Sequence, residues 1–181
     1  KMENRENDAL ESAIFAGGCF WGVEHLLQQQ QGVISVVSGY MGGITDNPSY
    51  QEVCSQNNGH LEVVEVRYDP AKVDFGTLAK LFFEIHDPTQ TGGQGPDIGE
   101  QYGSAVFYRN EEQKRLTEQL IGQLQDNGYS VVTEVRPAKT FWPAEDYHQN
   151  YYRNNPRQAY CTMVIDHKVD TFKKSFQDMM T

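Results

Sequence analysis

The sequence predicts an α+β fold in two layers, on three observations. Strand-like and helix-like stretches follow one another in the order β-α-β-β-α-β and then α-β. Gly, Pro, Asn and Asp punctuate the changes of period, and Leu, Ile, Val and Phe supply 40 of 181 residues, just above the roughly 20% below which a charged chain stays disordered. A chain of this length makes one domain and buries about 70% of its unfolded surface without a disulfide framework or structural metal. The order of elements is that of a ferredoxin-like split βαβ two-layer sandwich, with an added helix and strand and an irregular C-terminal tail.

Each element has its own signal. Residues 1–11 are polar and charged and read as a flexible leader ahead of a single domain over 12–181. Residues 12–16 are a short apolar run closed by Gly17-Gly18, a strand ending in a tight turn. From 19 to 31, Phe20, Val23, Leu26 and Leu27 recur at helical spacing, and Gly32 follows as a C-terminal cap. The β-branched run 33–40 predicts a second strand, and 61–68, stopped by Asp69-Pro70, a third. Asp74 caps a helix carrying Phe75, Leu78, Ala79, Phe82 and Ile85. Strand four is expected over 104–108. Asn110 then caps a helix with Leu116, Leu120, Ile121 and Leu124, ended by Gly128, and strand five is expected over 130–135. Two glycine-rich loops, 41–59 and 86–99, are long enough to be functional, and the aromatic stretch 141–152 is expected to cover the sheet edge.

Composition narrows the functions. The formal charge is −10, with no run of Lys and Arg to neutralise phosphates, so nucleic acid and anionic membranes are excluded as main partners. No apolar stretch reaches the roughly 18 residues of a bilayer span, and the leader lacks a signal-peptide core. Three cysteines, an odd number, point to a reducing compartment, here the cytoplasm, or to redox chemistry. A monomer is expected.

Cys19 follows a strand and a Gly-Gly turn and opens a helix, where free N–H groups and the helix dipole favour a thiolate. The alternative is a small buried hydrophobe. Phe20 and Trp21 stand in the first turn, and an aromatic wall beside a thiolate suits a soft apolar substrate such as a thioether or methyl group. Glu62 shares its strand face with Val64, Val66 and Tyr68, so desolvation is expected to raise its pKa, whereas Glu65 beside Arg67 stays ionised at the surface. Tyr50 and Tyr102 lie in the glycine-rich loops, where a tyrosine has little core to fill. Asp97 reads equally as a turn aspartate.

The segment Gly17-Gly18-Cys19-Phe20-Trp21-Gly22-Val23-Glu24 resembles the active-site signature of the peptide-methionine sulfoxide reductase A family. Ser38-Gly39-Tyr40, Asn47-Pro48-Ser49-Tyr50, Gly59-His60-Leu61-Glu62, His86-Asp87-Pro88-Thr89, residues 95–102 and residues 144–149 extend the likeness over roughly 12–165. The resemblance implies an oxidoreductase that returns methionine S-sulfoxide, free or in proteins, to methionine. It implies that Cys19 is the nucleophile, Glu62 the proton donor, Tyr50 and Tyr102 donors to the oxygen, Phe20 and Trp21 the methyl pocket, and Asp97 a substrate-orienting carboxylate. It implies that Cys161 condenses with the Cys19 sulfenic acid, and that thioredoxin reduces the redox-active disulfide without metal or other cofactor. Cys54 is a bystander or an alternate partner; His25 is expected at the surface, and His60 and His148 in packing or hydrogen-bonding roles. Gly103 departs from the family, where a basic residue commonly follows the Gln-Tyr pair. Competing readings are a metal module, against which no C-x-x-C or H-x-x-x-H pair is found, a Cys-His hydrolase using His60 or His148, and a binding module without turnover.

Overall fold

Strand β1 (Glu11–Gly17) lies at the centre of a six-stranded sheet in the computed structural model, which describes residues 9–55 and 57–170. It runs antiparallel to β3 (Leu61–Tyr68) on one side and to β6 (Ser104–Tyr108) on the other, and β2 (Val33–Met41) is antiparallel to β3. The order β6-β1-β3-β2 is that of the predicted split βαβ unit. At its edges β7 (Glu134–Pro137) adds parallel to β6, and the two-residue β8 (Trp142–Pro143) pairs with Gly39 and Tyr40 of β2. The aromatic stretch thus covers an edge, as expected. Residues 1–8 of the leader lie outside the described residues, while Glu11 already belongs to β1, paired with Tyr68 and accepting its hydroxyl at 2.9 Å.

Alternation along β1 separates two apolar layers. Ala13 and Phe15 join Val64, Val66 and Val106 under helices α1 (Phe20–Gln28), α3 (Phe75–Ile85) and α4 (Glu111–Asp126). Ile14 and Ala16 face the other way with Met41, Val63, Ala105 and Phe107, covered in part by Phe141. The predicted caps are present: the Asp74 carboxylate accepts from Thr77 N–H at 2.7 Å and Asn110 from Gln113 N–H at 2.9 Å.

Three boundaries differ from the sequence expectation. The first helix begins at Phe20 with Cys19 as its cap, and stops at Gln28; Gly32 turns the chain at φ +91°, where a Cβ would stand 2.7 Å from Val73. The loop 41–59 contains a one-turn helix α2 (Tyr50–Cys54), because Ser49 caps it by accepting from Glu52 N–H at 3.2 Å. Strand five begins at Glu134, not residue 130, since Val132 N–H is committed to Pro88 C=O at 2.8 Å, outside the sheet. A small hairpin, β4 (Gly93–Gln94) and β5 (Asp97–Ile98), occupies the second glycine-rich loop. The tail is less irregular than expected. After a short helix α5 (Tyr151–Asn154) the chain is helical over 159–170, with a π turn at Cys161–Ile165. No described helix is long and apolar enough to cross a membrane.

Candidate active site

The strand β1 delivers Cys19 to the site by a turn at Gly18, whose φ of +93° suits only glycine and where a Cβ would stand 2.7 Å from Gln94. Gln94 holds Asp87 through its N–H (2.7 Å) and C=O (2.8 Å), which packs the second loop against this turn. β3 places Glu62 under the start of α1, where Oε1 accepts from Phe20 N–H at 3.2 Å. The carboxyl of Glu62 thus takes the Phe20 N–H of the first helical turn and leaves the Trp21 N–H to the Cys19 sulfur.

A pocket of about 260 Å³ opens here, lined by Cys19, Phe20, Trp21, Tyr50, Glu62, Asp97 and Tyr102, together with Gln158 and Tyr160. Seven of the eight residues singled out in the sequence therefore meet around one space. Cys161, the eighth, does not line it. It is fully buried in the core on the stripe Cys161, Ile165 and Val169 of the C-terminal helix. The irregular tail expected from the sequence is here a docked helix with an apolar stripe. Gln158 and Tyr160 were missed because, in sequence, they register only as neighbours of Cys161. A larger cavity, about 380 Å³, is lined by Leu61, Gly103, Ser104, Glu134 and Arg136 among others, and has no thiol in its wall.

Glu62 is 1% exposed, its Oε2 has no hydrogen-bond partner among the described residues, and its pKa is raised to about 8, chiefly by burial and further by the Asp97 charge, against the Phe20 N–H bond. At neutral pH this carboxyl keeps its proton. Cys19 departs from expectation. It is 7% exposed and its pKa is raised well above the thiol range, first by burial, then by the charges of Glu62 and Asp97, which outweigh the Trp21 N–H and the Tyr160 hydroxyl. The resting thiol is neutral, because loss of water costs the anion more than one helix turn returns. Burial lowers the pKa of Lys168, on the C-terminal helix, against the charges of Cys19 and Asp97, which raise it.

The walls are held from behind. Trp21 Nε1–H donates to His148 Nδ1 at 3.0 Å, and its ring stacks on Tyr151 at 3.8 Å. His148 lies against the rings of Phe20 and Tyr50, and burial lowers its pKa, so it is a neutral acceptor. His60 accepts from Gly43 N–H at 3.1 Å and contacts Thr45 C=O at 2.7 Å through its other nitrogen, which pins the first loop. Glu145 accepts the Tyr40 hydroxyl at 3.0 Å and Tyr50 N–H at 3.1 Å. The Tyr50 hydroxyl is in hydrogen-bond contact with Cys54, which also meets Gln101. Glu65 pairs with Arg109 at 2.8 Å; the sequence had offered Arg67. Among the described residues no group of three or more His, Cys, Asp or Glu is arranged to hold a metal ion.

A buried thiol, a protonated carboxyl and two aromatic walls thus share one pocket on an α+β scaffold. Comparison with known proteins makes this specific. Residues 11–180 match the family model described as peptide methionine sulfoxide reductase. The "Peptide methionine sulfoxide reductase MsrA" of Chromobacterium violaceum is 48% identical over 174 residues, covering 94% of this chain and 99% of that protein. Yeast Mxr1 in reduced form superimposes with a TM-score of 0.80 at 33% identity, over 85% of this chain and 90% of that one. Mxr1 in complex with Trx2 shares the fold, with a TM-score of 0.56 at 22% identity, over 80% of this chain and 86% of that one. The chain belongs to the peptide methionine sulfoxide reductase A family and is an enzyme that reduces methionine sulfoxide.

Proposed function

We propose that the thiol of Cys19 attacks the sulfur of methionine S-sulfoxide while Glu62 protonates the oxygen. The observation that carries this reading is the shared pocket, in which a neutral thiol and a carboxyl that holds its proton to about pH 8 face the same space beside Phe20 and Trp21. A sulfoxide oxygen leaves poorly as an oxide, so an acid that is still protonated at neutral pH is the group the reaction requires. As the S–S contact forms, the thiol loses its proton and Glu62 becomes a carboxylate. Oxygen then passes to Cys19, which ends as a sulfenic acid, oxidised by two electrons, and the substrate leaves as the thioether, reduced by two.

Phe20 and Trp21 seat the methyl group, Tyr50 and Tyr102 donate to the oxygen, and Asp97 orients the substrate. For Tyr50 this requires its hydroxyl to leave Cys54. Cys161 leaves its place on the docked helix and condenses with the sulfenic acid, releasing water and forming a Cys19–Cys161 disulfide. Thioredoxin then reduces the disulfide without a further cofactor, a reading supported by the complex of yeast Mxr1 with Trx2. The test offers the enzyme the two resolved sulfoxide epimers with dithiothreitol, then one turnover without reductant followed by mass spectrometry. Turnover of the S epimer alone and a Cys19–Cys161 linkage are expected; equal use of both epimers, or activity in Cys19→Ser, refutes the reading.

A further inference from the structure

The Tyr160 hydroxyl donates to Asp97 Oδ2 and shares the pocket with the Cys19 sulfur, close enough for each to shift the other's hold on its proton. A phenol has one proton to give. With that proton directed to Asp97, the Cys19 S–H is the donor left for the phenolic oxygen. Cys19, Tyr160 and Asp97 thus form a continuous chain from a neutral thiol to a carboxylate, and all three line the pocket. Tyr160 is fixed in this position from several sides. Its ring meets Trp21 edge-on at 5.8 Å, and the helix turn that carries it is tied by Cys161 N–H to Gln158 Oε1 at 3.1 Å.

The proposed reaction needs an outlet for the thiol proton. Glu62 is occupied, since it must carry a proton of its own to the sulfoxide oxygen. From this geometry we infer that Tyr160 is a catalytic residue, relaying the Cys19 proton to Asp97 as the sulfur attacks. The S–H bond breaks and its electron pair goes to the substrate sulfur; the Tyr160 oxygen gains the proton while its own passes to Asp97. Once the thioether has left, Asp97 returns a proton to Glu62 through water in the emptied pocket, and the balance closes. Acid and base are then separate carboxyls in the pocket of one thiol. The thiol can remain neutral at rest, protected from adventitious oxidation, and ionise only against a bound sulfoxide.

The inference rests on the function proposed above, and its test is chosen so that the two fail differently. Methionine formation from N-acetyl-methionine sulfoxide is followed in a single turnover of the full chain, which excludes the later thiol steps. Tyr160→Phe, which keeps the ring, should slow this step about ten- to a hundredfold with less than about a threefold change in the sulfoxide concentration for half-saturation. Asp97→Asn, which keeps the volume, should be slowed comparably. Formate, a carboxylate small enough for the pocket, should restore Asp97→Ala by at least about fivefold, but not Asp97→Ala/Tyr160→Phe, in which the bridge to sulfur is lost. A wild-type rate in Tyr160→Phe, absence of rescue in Asp97→Ala, or equal rescue of the double variant overturns the relay. None of these outcomes touches the assignment of Cys19, which stands or falls with Cys19→Ser.

Discussion

Glu62 shows how much one position on a strand can decide. Its face of β3 is legible from alternation alone, and burial on that face raises its pKa to about 8, a difference of roughly 5 kcal/mol between its charged and neutral forms. Activity should therefore fall as pH rises through about 8, because the acid loses the proton it must donate. In a pH profile of kcat/KM, Glu62→Gln should lower the plateau about 10²- to 10⁴-fold and remove that limb. The ionisation of Cys19 was not legible. A helix start argues for a thiolate, but the sequence does not say that the first N–H groups are shared with Glu62, that two carboxyls stand nearby, or that Cys19 is buried. Position along the chain was readable; access to water depends on parts of the chain far away in sequence.

At the scale of elements, the segment 141–154 acts as a strap across β2 and α1. Ala144 N–H reaches Ser38 C=O at 2.9 Å, and Gln149 bonds both Ser38 N–H (2.9 Å) and C=O (2.8 Å). Buried Glu24 accepts the Ser38 hydroxyl and Asn150 N–H, each at 2.6 Å, with Asn150 in a left-handed turn at φ +56°. The strap carries Glu145, His148 and Tyr151 to Tyr50 and Trp21, so the pocket wall depends on it. Glu24→Ala leaves the Ser38 and Asn150 donors unmet and should cost about 2–5 kcal/mol in urea unfolding, with altered Trp21 fluorescence in the variant that still folds. Gly39→Ala tests the other anchor. Its Cβ would stand 2.5 Å from Phe141 and 2.6 Å from Trp142 C=O, so β8 must shift; the expected loss is about 1–3 kcal/mol, read in the same assay. The sequence showed that the strap is aromatic and lies over an edge. It did not show Glu24 beneath it, because a glutamate within an amphipathic helix reads as surface until its partners on another strand and a later loop are known.

For the molecule as a whole, two buried groups set opposing slopes of stability against pH. Glu62 has a folded pKa above its ordinary value of 4.5, so the folded state holds a proton that the unfolded chain has lost. Its contribution is complete at low pH and declines as pH rises from about 4.5 to 8, by up to about 1.4 kcal/mol per unit. His86, which reaches Phe82 C=O at 2.6 Å and the Ser104 hydroxyl at 2.8 Å, has its pKa lowered to about 4 by burial. The stability it contributes is present above about 6.5 and lost as pH falls towards 4. Between pH 5 and pH 8 the urea midpoint should shift upward in Glu62→Gln relative to its shift in wild type, because the His86 slope is left unopposed; an unchanged difference would mean that the carboxyl ionises in the folded state as it does in the unfolded one. The order of strands and helices was legible because period, caps and turn residues agree over most of the chain. The place of helix 159–170 was not, since its stripe of Cys161, Ile165 and Val169 follows a run of polar residues and resembles the end of a tail.

That stripe has a kinetic corollary. On the proposed scheme the second sulfur waits inside a hydrocarbon interface, and exposing even one such side chain costs about 1.5–3 kcal/mol. The released conformer would be populated to less than about a tenth, so disulfide closure would be timed by transient opening of the last helix and would quicken with warming or mild urea well before the rest of the molecule loosens.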